Sequence, residues 1–168
     1  MAKKDIVKNK VKISVPPPPD STIKQIDDVF IVMTEAYCPN GHNLISDDNE
    51  EFDEYPGIKV YLKGEKKEGP VYLSPFQGDG TKKGTQDWNA GEKLKFFCPE
   101  CNEALPIMAH CSCLDNKGEH GDIVKIFTSD DLAEKSVLSL CNVWGCRKSK
   151  VTDNWNIISE YLDGEIID

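Results

Sequence analysis

Leu94-Lys-Phe-Phe-Cys98-Pro-Glu-Cys101-Asn102 is the stretch that decides how this chain is read. A short apolar run delivers two cysteines onto a turn whose second residue is proline. A similar arrangement occurs upstream, where Asp28-Val-Phe-Ile-Val-Met33 runs on to Cys38-Pro-Asn-Gly-His42. Further along lie Cys111-Ser-Cys113 and Cys141-Asn-Val-Trp-Gly-Cys146. These four segments use all seven cysteines, and His42 makes eight candidate ligands, or two tetrahedral sets. Thiolate and imidazole at such spacings bind metal, and a structural zinc site supplies folding free energy on the order of 10 kcal/mol or more.

Composition bounds the alternatives. The chain has 168 residues, 39% hydrophobic and 29% charged, which suits one domain with a moderate core. No apolar run reaches the ~18 residues of a membrane span, and MAKKDIVKNK lacks a signal-peptide core, so a cytoplasmic location is expected. In that reducing compartment, an odd number of thiols reads as metal ligation rather than disulfides. The net charge is −9. Residues 1–25 carry six lysines against two aspartates, so they are +4 and the remainder is −13. A body that acidic opposes nucleic-acid binding and suits docking onto a protein partner.

Residues 1–25 read as a flexible basic tail with a polyproline spacer at Val15-Pro-Pro-Pro-Pro19, in preference to a short strand over Val11, Ile13 and Val15. Residues 26–168 read as one metal-binding domain. Strands are expected at 28–33, 58–62, 70–74, 94–97, 104–109, 122–127 and 137–140 from alternation and β-branched content. Ser46–Glu54 reads as a solvated acidic loop, and Gly78–Gly84 as a polar loop. Thr128-Ser-Asp-Asp131 is a candidate cap for a brief helix, and Val151, Trp155, Ile158 and Leu162 fall near helical spacing, with Thr152 as N-cap and Gly164 as terminator. The expected fold is mostly β with one or two short helices.

The turns Cys38-Pro-Asn-Gly-His42 and Cys98-Pro-Glu-Cys101-Asn102 resemble the paired knuckles of zinc ribbons. Proline fixes φ after the first ligand, Gly41 and Asn102 tolerate positive φ, and turn amides can donate to sulfur. The resemblance implies Cys38, His42, Cys98 and Cys101 as ligands of one zinc in a ribbon-like core. Residues 43–97 would be a β insertion between its turns. Cys111, Cys113, Cys141 and Cys146 form the second candidate set, holding a C-terminal half together. An extended chain from Cys101 to Cys111 would cover roughly 30 Å, so those two segments belong to different metals. A cross-braced pairing also meets that limit, and the sequential pairing is preferred because both turns of the first set share ribbon chemistry.

Two zinc ions are therefore expected. Iron is the rival, since Cys-Pro-x-Cys turns also hold iron, but such sites use four thiolates and the first set includes a histidine. Cys98-x-x-Cys101 opens no helix of a βαβ unit, which weakens a redox reading. His110 is expected on the strand face away from Cys111, and His120 in an exposed turn. No lone histidine here carries catalytic weight. The function expected is a structural zinc-binding accessory or adaptor subunit that docks onto a protein. A small iron-carrying enzyme subunit is the alternative. So is a nucleic-acid-binding zinc protein using the tail, Arg147-Lys-Ser-Lys150 and Trp144.

Overall fold

The computed structural model describes residues 11–13, 17, 21–26, 30–77, 82–84, 87–146, 148–153 and 155–161. Among these residues there are fourteen strands and no helix. The first three are β1 (Val11–Ile13), β2 (Ile23–Ile26) and β3 (Phe30–Met33). Next come β4 (Glu51–Phe52), β5 (Tyr55–Pro56), β6 (Ile58–Lys63), β7 (Glu68–Leu73), β8 (Lys82–Gly84) and β9 (Lys95–Phe97). The last five are β10 (Ile107–Leu114), β11 (His120–Phe127), β12 (Val137–Cys141), β13 (Ser149–Asp153) and β14 (Asn156–Tyr161).

Two antiparallel sheets dominate. A six-stranded sheet runs β1-β14-β13-β12-β11-β10, and a four-stranded sheet runs β8-β7-β6-β9. β2–β3 and β4–β5 are small two-stranded ribbons. Alternation in β6 is regular: Ile58, Val60 and Leu62 are buried, while Lys59, Tyr61 and Lys63 face outward. β7 repeats it with Gly69, Val71 and Leu73 inside. The inner faces of the two large sheets share one core, in which Ile58, Val60 and Leu62 meet Ile126, Leu138, Val151 and Ile158. Cys38 and Cys98 lie in that core. Cys111, Cys113, Cys141 and Cys146 form a separate cluster with Val143.

The mostly-β expectation holds, and the strands near 28–33, 58–62, 70–74, 94–97, 122–127 and 137–140 are present. The helices are not. After Thr128 the chain makes a turn: Ser129 Oγ donates to Asp131 Oδ1 at 2.6 Å and Leu132 adopts φ 55°. Residues 149–161 form the β13–β14 hairpin, with Asp153 opposite Asn156 and Trp155 at φ 68°. Val151 and Ile158 are both buried, one from each strand, so their seven-residue spacing reflects a tight hairpin rather than two helical turns. Two loop readings also change. Part of Ser46–Glu54 closes as the β4–β5 hairpin with Phe52 buried, and Gly84 ends β8.

The strand expected over 104–109 starts at Ile107 and continues through both cysteines to Leu114. Val11–Ile13 pairs with β14, Val11 opposite Tyr161. Most of the proposed tail and polyproline spacer, the Gly78–Gly80 turn, Arg147 and Gly164 lie outside the described residues. No helix among the described residues is long and apolar enough to cross a membrane.

Candidate metal centres

The first centre is assembled from two turns. In the 38–42 turn, Cys38 N donates to His42 O at 3.1 Å and Gly41 N to Cys38 O at 3.0 Å, with Gly41 at φ 87°. In the 98–103 turn, Cys98 N donates to Glu103 O and Asn102 N to Cys98 O, both at 2.9 Å, with Asn102 at φ 59°. Positive φ at these two positions aims both ligands of each turn at one point. Tyr37 is anchored by reciprocal backbone bonds to Phe127, which ties the first turn to the six-stranded sheet. β9 carries the second turn out of the four-stranded sheet, Tyr61 opposite Phe97. The centre therefore joins the two large sheets.

The second centre is built from strands. Residues two apart in a strand share a face, and Cys111 and Cys113 of β10 are buried while Ser112 and Leu114 are exposed. Cys141 ends β12 opposite Ile123 of β11. The chain then turns through Gly145 at φ 91°, with Cys146 N donating to Val143 O at 3.0 Å, and returns Cys146 to the same point. The tight Cys-x-Cys chelate is thus a product of strand pleating. Gly121 of β11 lies directly beneath it, where a Cβ would stand 2.8 Å from Cys141 Sγ and 3.1 Å from Cys113 Sγ.

The ligand atoms converge as two groups of four, Cys38/His42/Cys98/Cys101 and Cys111/Cys113/Cys141/Cys146, each group within 4.8 Å of one another. The sequential pairing, not the cross-braced one, is what the backbone brings together. Sulfur–sulfur separations are 3.9 Å for Cys38–Cys101, 3.9 Å for Cys111–Cys146 and 3.4 Å for Cys113–Cys141, and Cys38 Sγ lies 3.4 Å from His42 Nδ1. A disulfide needs ~2.05 Å, and all seven cysteines are free. Four thiolates around a metal at ~2.3 Å would stand about 3.8 Å apart, so these donor sets fit a tetrahedral ion.

Turn amides supply donors to sulfur. Asn40 N reaches Cys38 Sγ at 3.3 Å, Glu100 N reaches Cys98 Sγ at 3.4 Å, and Val143 N reaches Cys141 Sγ at 3.4 Å. The Asn40 side-chain amide reaches Cys101 Sγ at 3.4 Å. This last bond, with a backbone bond from Glu103, holds the Cys101 thiol at about 6. Burial pushes Cys98 up to about 11. In the second centre, hydrogen bonding between Cys141 and Cys146 raises the former and lowers the latter to about 6, and burial raises Cys113 to about 12. The first set thus pairs the readily ionised Cys101 with Cys98, and the second pairs Cys146 with Cys113 and Cys141, thiols whose protons an incoming cation must displace.

The two environments differ. All four cysteines of the second set are buried, whereas His42 and Cys101 of the first are only half-buried. His110 is exposed and pairs with Asp122, Nδ1 to Oδ1 at 3.0 Å, so it is no ligand. His120 is exposed too, yet its Nδ1 lies 3.0 Å from the Cys111 carbonyl, a link to the second centre that the sequence did not signal. Asn40 and Gly121 were likewise missed as parts of the centres. Glycine spacing near the cysteines hints at Gly145 but not at Gly121, which arrives from another strand.

Trp144 is half-buried, packs against the main core and lies 6.2 Å from Trp88. Lys148 reaches Ser112 Oγ at 2.9 Å. Compared with known proteins, the chain matches no family model, no curated protein and no solved structure. The ribbon likeness accordingly rests on the two proline-bearing turns alone.

Proposed function

We propose that this chain is a structural zinc protein that serves as an accessory or adaptor subunit, with one zinc in each of its two centres. The observation that carries the reading is the convergence of eight donors into two four-ligand sets. Four protein ligands close a zinc's coordination, which suits a structural rather than a catalytic role. The imidazole in the first set favours zinc over iron there. The four thiolates of the second accept either metal. Bound zinc would fasten the four-stranded sheet to the six-stranded one through the first centre, and β10 to the β12 turn through the second.

A docking role draws support from β10, the outer strand of the six-stranded sheet. Ile107, Met108 and Leu114 are exposed along it, at 59%, 50% and 51%. An apolar sheet edge accepts a strand from a partner. Metal analysis of anaerobically purified protein tests the first half of the reading: two zincs per chain support it, and iron with absorbance above about 350 nm favours the electron-carrying alternative. For the second half, native co-purification should yield a stoichiometric protein partner that Met108→Lys releases. A chain that purifies alone at native concentration sinks the adaptor role.

A further inference from the structure

The outward face of the four-stranded sheet is chemically unlike the rest of this acidic chain. Strand register arranges it in three rows. Lys83, Tyr72 and Lys59 lie side by side across β8, β7 and β6. Pro70, Tyr61 and Phe97 form the middle row across β7, β6 and β9. Glu68, Lys63 and Lys95 form the third. All nine are exposed or half-exposed, while their strand neighbours Val60, Leu62, Val71 and Phe96 fill the core beneath. Four lysines against one glutamate give the face a charge of +3 in a chain of −9.

Two aromatic rings, Tyr61 and Phe97, project from this face, while Tyr72 packs at its edge against Val32, Phe52 and Phe76. Lys63 Nζ lies 4.6 Å from the Phe97 ring centroid and Lys59 Nζ 5.8 Å from that of Tyr72. Lys83 sits 4.9 Å over Phe52 at the sheet's edge. The Tyr61 hydroxyl bonds to Glu68. Directly opposed residues on antiparallel strands bring their Cβ atoms within about 5 Å, so Tyr61 and Phe97, which pair across β6 and β9, stand as neighbours on the face.

We propose that this face binds single-stranded nucleic acid, with bases stacking on Tyr61 and Phe97 and phosphates paired with Lys59, Lys63, Lys83 and Lys95. Each component has its own role. Base–aromatic stacking tolerates any sequence because every base presents a π-face, and flanking cations neutralise the backbone. A duplex hides those faces, so single strands are selected. An acidic peptide would engage the lysines but leave Tyr61 and Phe97 unused. The Lys63 ammonium over Phe97 shields that ring in the free protein and swings onto phosphate when a base replaces it.

The acidic remainder does not veto this. At physiological salt the screening length is about 8 Å, so a strand lying on the face responds mainly to the face. The body's net charge, which argued against nucleic acid at the level of sequence, hides a segregated patch. Lys95 and Phe97 also line a groove of about 640 Å³ in which Lys93 and Lys117 are matched by Asp122 and Glu65.

Fluorescence anisotropy on the full, metal-loaded chain tests the proposal, using 5′-labelled oligo(U) and mixed-sequence RNA and DNA 12-mers, a duplex, and polyglutamate as competitor. Single strands should bind at about 100 mM salt, better than the duplex, with a log–log salt slope of roughly −2 to −3 for four lysines. Tyr61→Ala and Phe97→Ala should each weaken binding about 5- to 100-fold. Lys63→Glu/Lys95→Glu, which leaves the rings and core in place, should weaken it more than 10-fold and flatten the slope by over 1.

Absence of binding overturns the proposal. So does binding unchanged in the lysine variant but lost in Lys3→Glu/Lys4→Glu/Lys8→Glu, which would place the nucleic acid on the N-terminal segment. Equal displacement by polyglutamate would show a general acidic-peptide site instead.

Discussion

Gly121 stands against Cys141 across the second metal centre, so close that an added methyl would lie 2.8 Å from the sulfur and equally near Val143 Cγ2. Its φ is not positive, so backbone strain plays no part. Only the missing side chain lets β11 pass beneath the ligands. Gly121→Ala must therefore push Cys141 and Cys113 apart. We expect metal content to fall from two ions toward one per chain, with a stability loss of about 1–3 kcal/mol from overpacking even before the metal's contribution is counted. Full metal content in this variant would show that the second set does not hold an ion in this geometry.

The two centres should release metal at different rates. His42 and Cys101 are half-buried, so water and chelator reach the first centre, whereas every ligand of the second is buried. Treatment with excess chelator should give two phases of equal amplitude, the fast one abolished in Cys101→Ser. Removing the first metal frees the two turns but leaves β10–β12 clipped together. Far-UV dichroism should therefore change in two steps. A single phase would mean that the centres unfold as one cooperative unit.

Both ligand sets are legible in the sequence because their members sit in pairs on short segments, and pairing among four segments has few solutions. The strands β6 and β11 are legible too, since alternation over Ile58–Lys63 and the β-branched run at Ile123–Ile126 reflect local burial. What the sequence conceals is cross-strand register. Lys63 and Lys95 are 32 positions apart, yet lie side by side only because Leu62 pairs with Phe96. Gly121 meets Cys113 and Cys141 for the same kind of reason. The β13–β14 hairpin misleads as a helix because a tight reversal restores Val151 and Ile158 to one face.

Asn40 and Cys101 give a pH-dependent signature. The side-chain amide of Asn40 donates to Cys101 Sγ at 3.4 Å and stabilises the thiolate. With that bond the metal-free Cys101 titrates at about 6, while burial holds Cys98 at about 11. A thiol whose folded value is depressed favours the folded chain above its unfolded value, near 8.5, and loses that contribution as pH falls through about 6. In the metal-free protein at pH 7, alkylation should mark Cys101 well before Cys98, with a midpoint near pH 6 for Cys101. Asn40→Ala should move that midpoint upward toward ordinary thiol values and weaken metal binding at pH 6 more than at pH 8. An unmoved midpoint would assign the depression to the Glu103 amide instead.

Trp155 occupies a position that suits a different residue. It is 71% exposed, sits at φ 68° in the β13–β14 turn, and its amide donates to Lys135 O at 3.0 Å. A left-handed conformation costs a bulky L-residue about 1–2 kcal/mol, and asparagine accepts it more readily. The ring recovers little by burial. Trp155→Asn keeps the backbone donor and relieves the strain, so stability to urea should rise by about 0.5–1 kcal/mol. The same variant should shift tryptophan emission to the blue, because the remaining rings, Trp88 and Trp144, are buried and half-buried. A fall in stability would show that the Trp155 ring holds a contact worth more than the backbone strain it imposes.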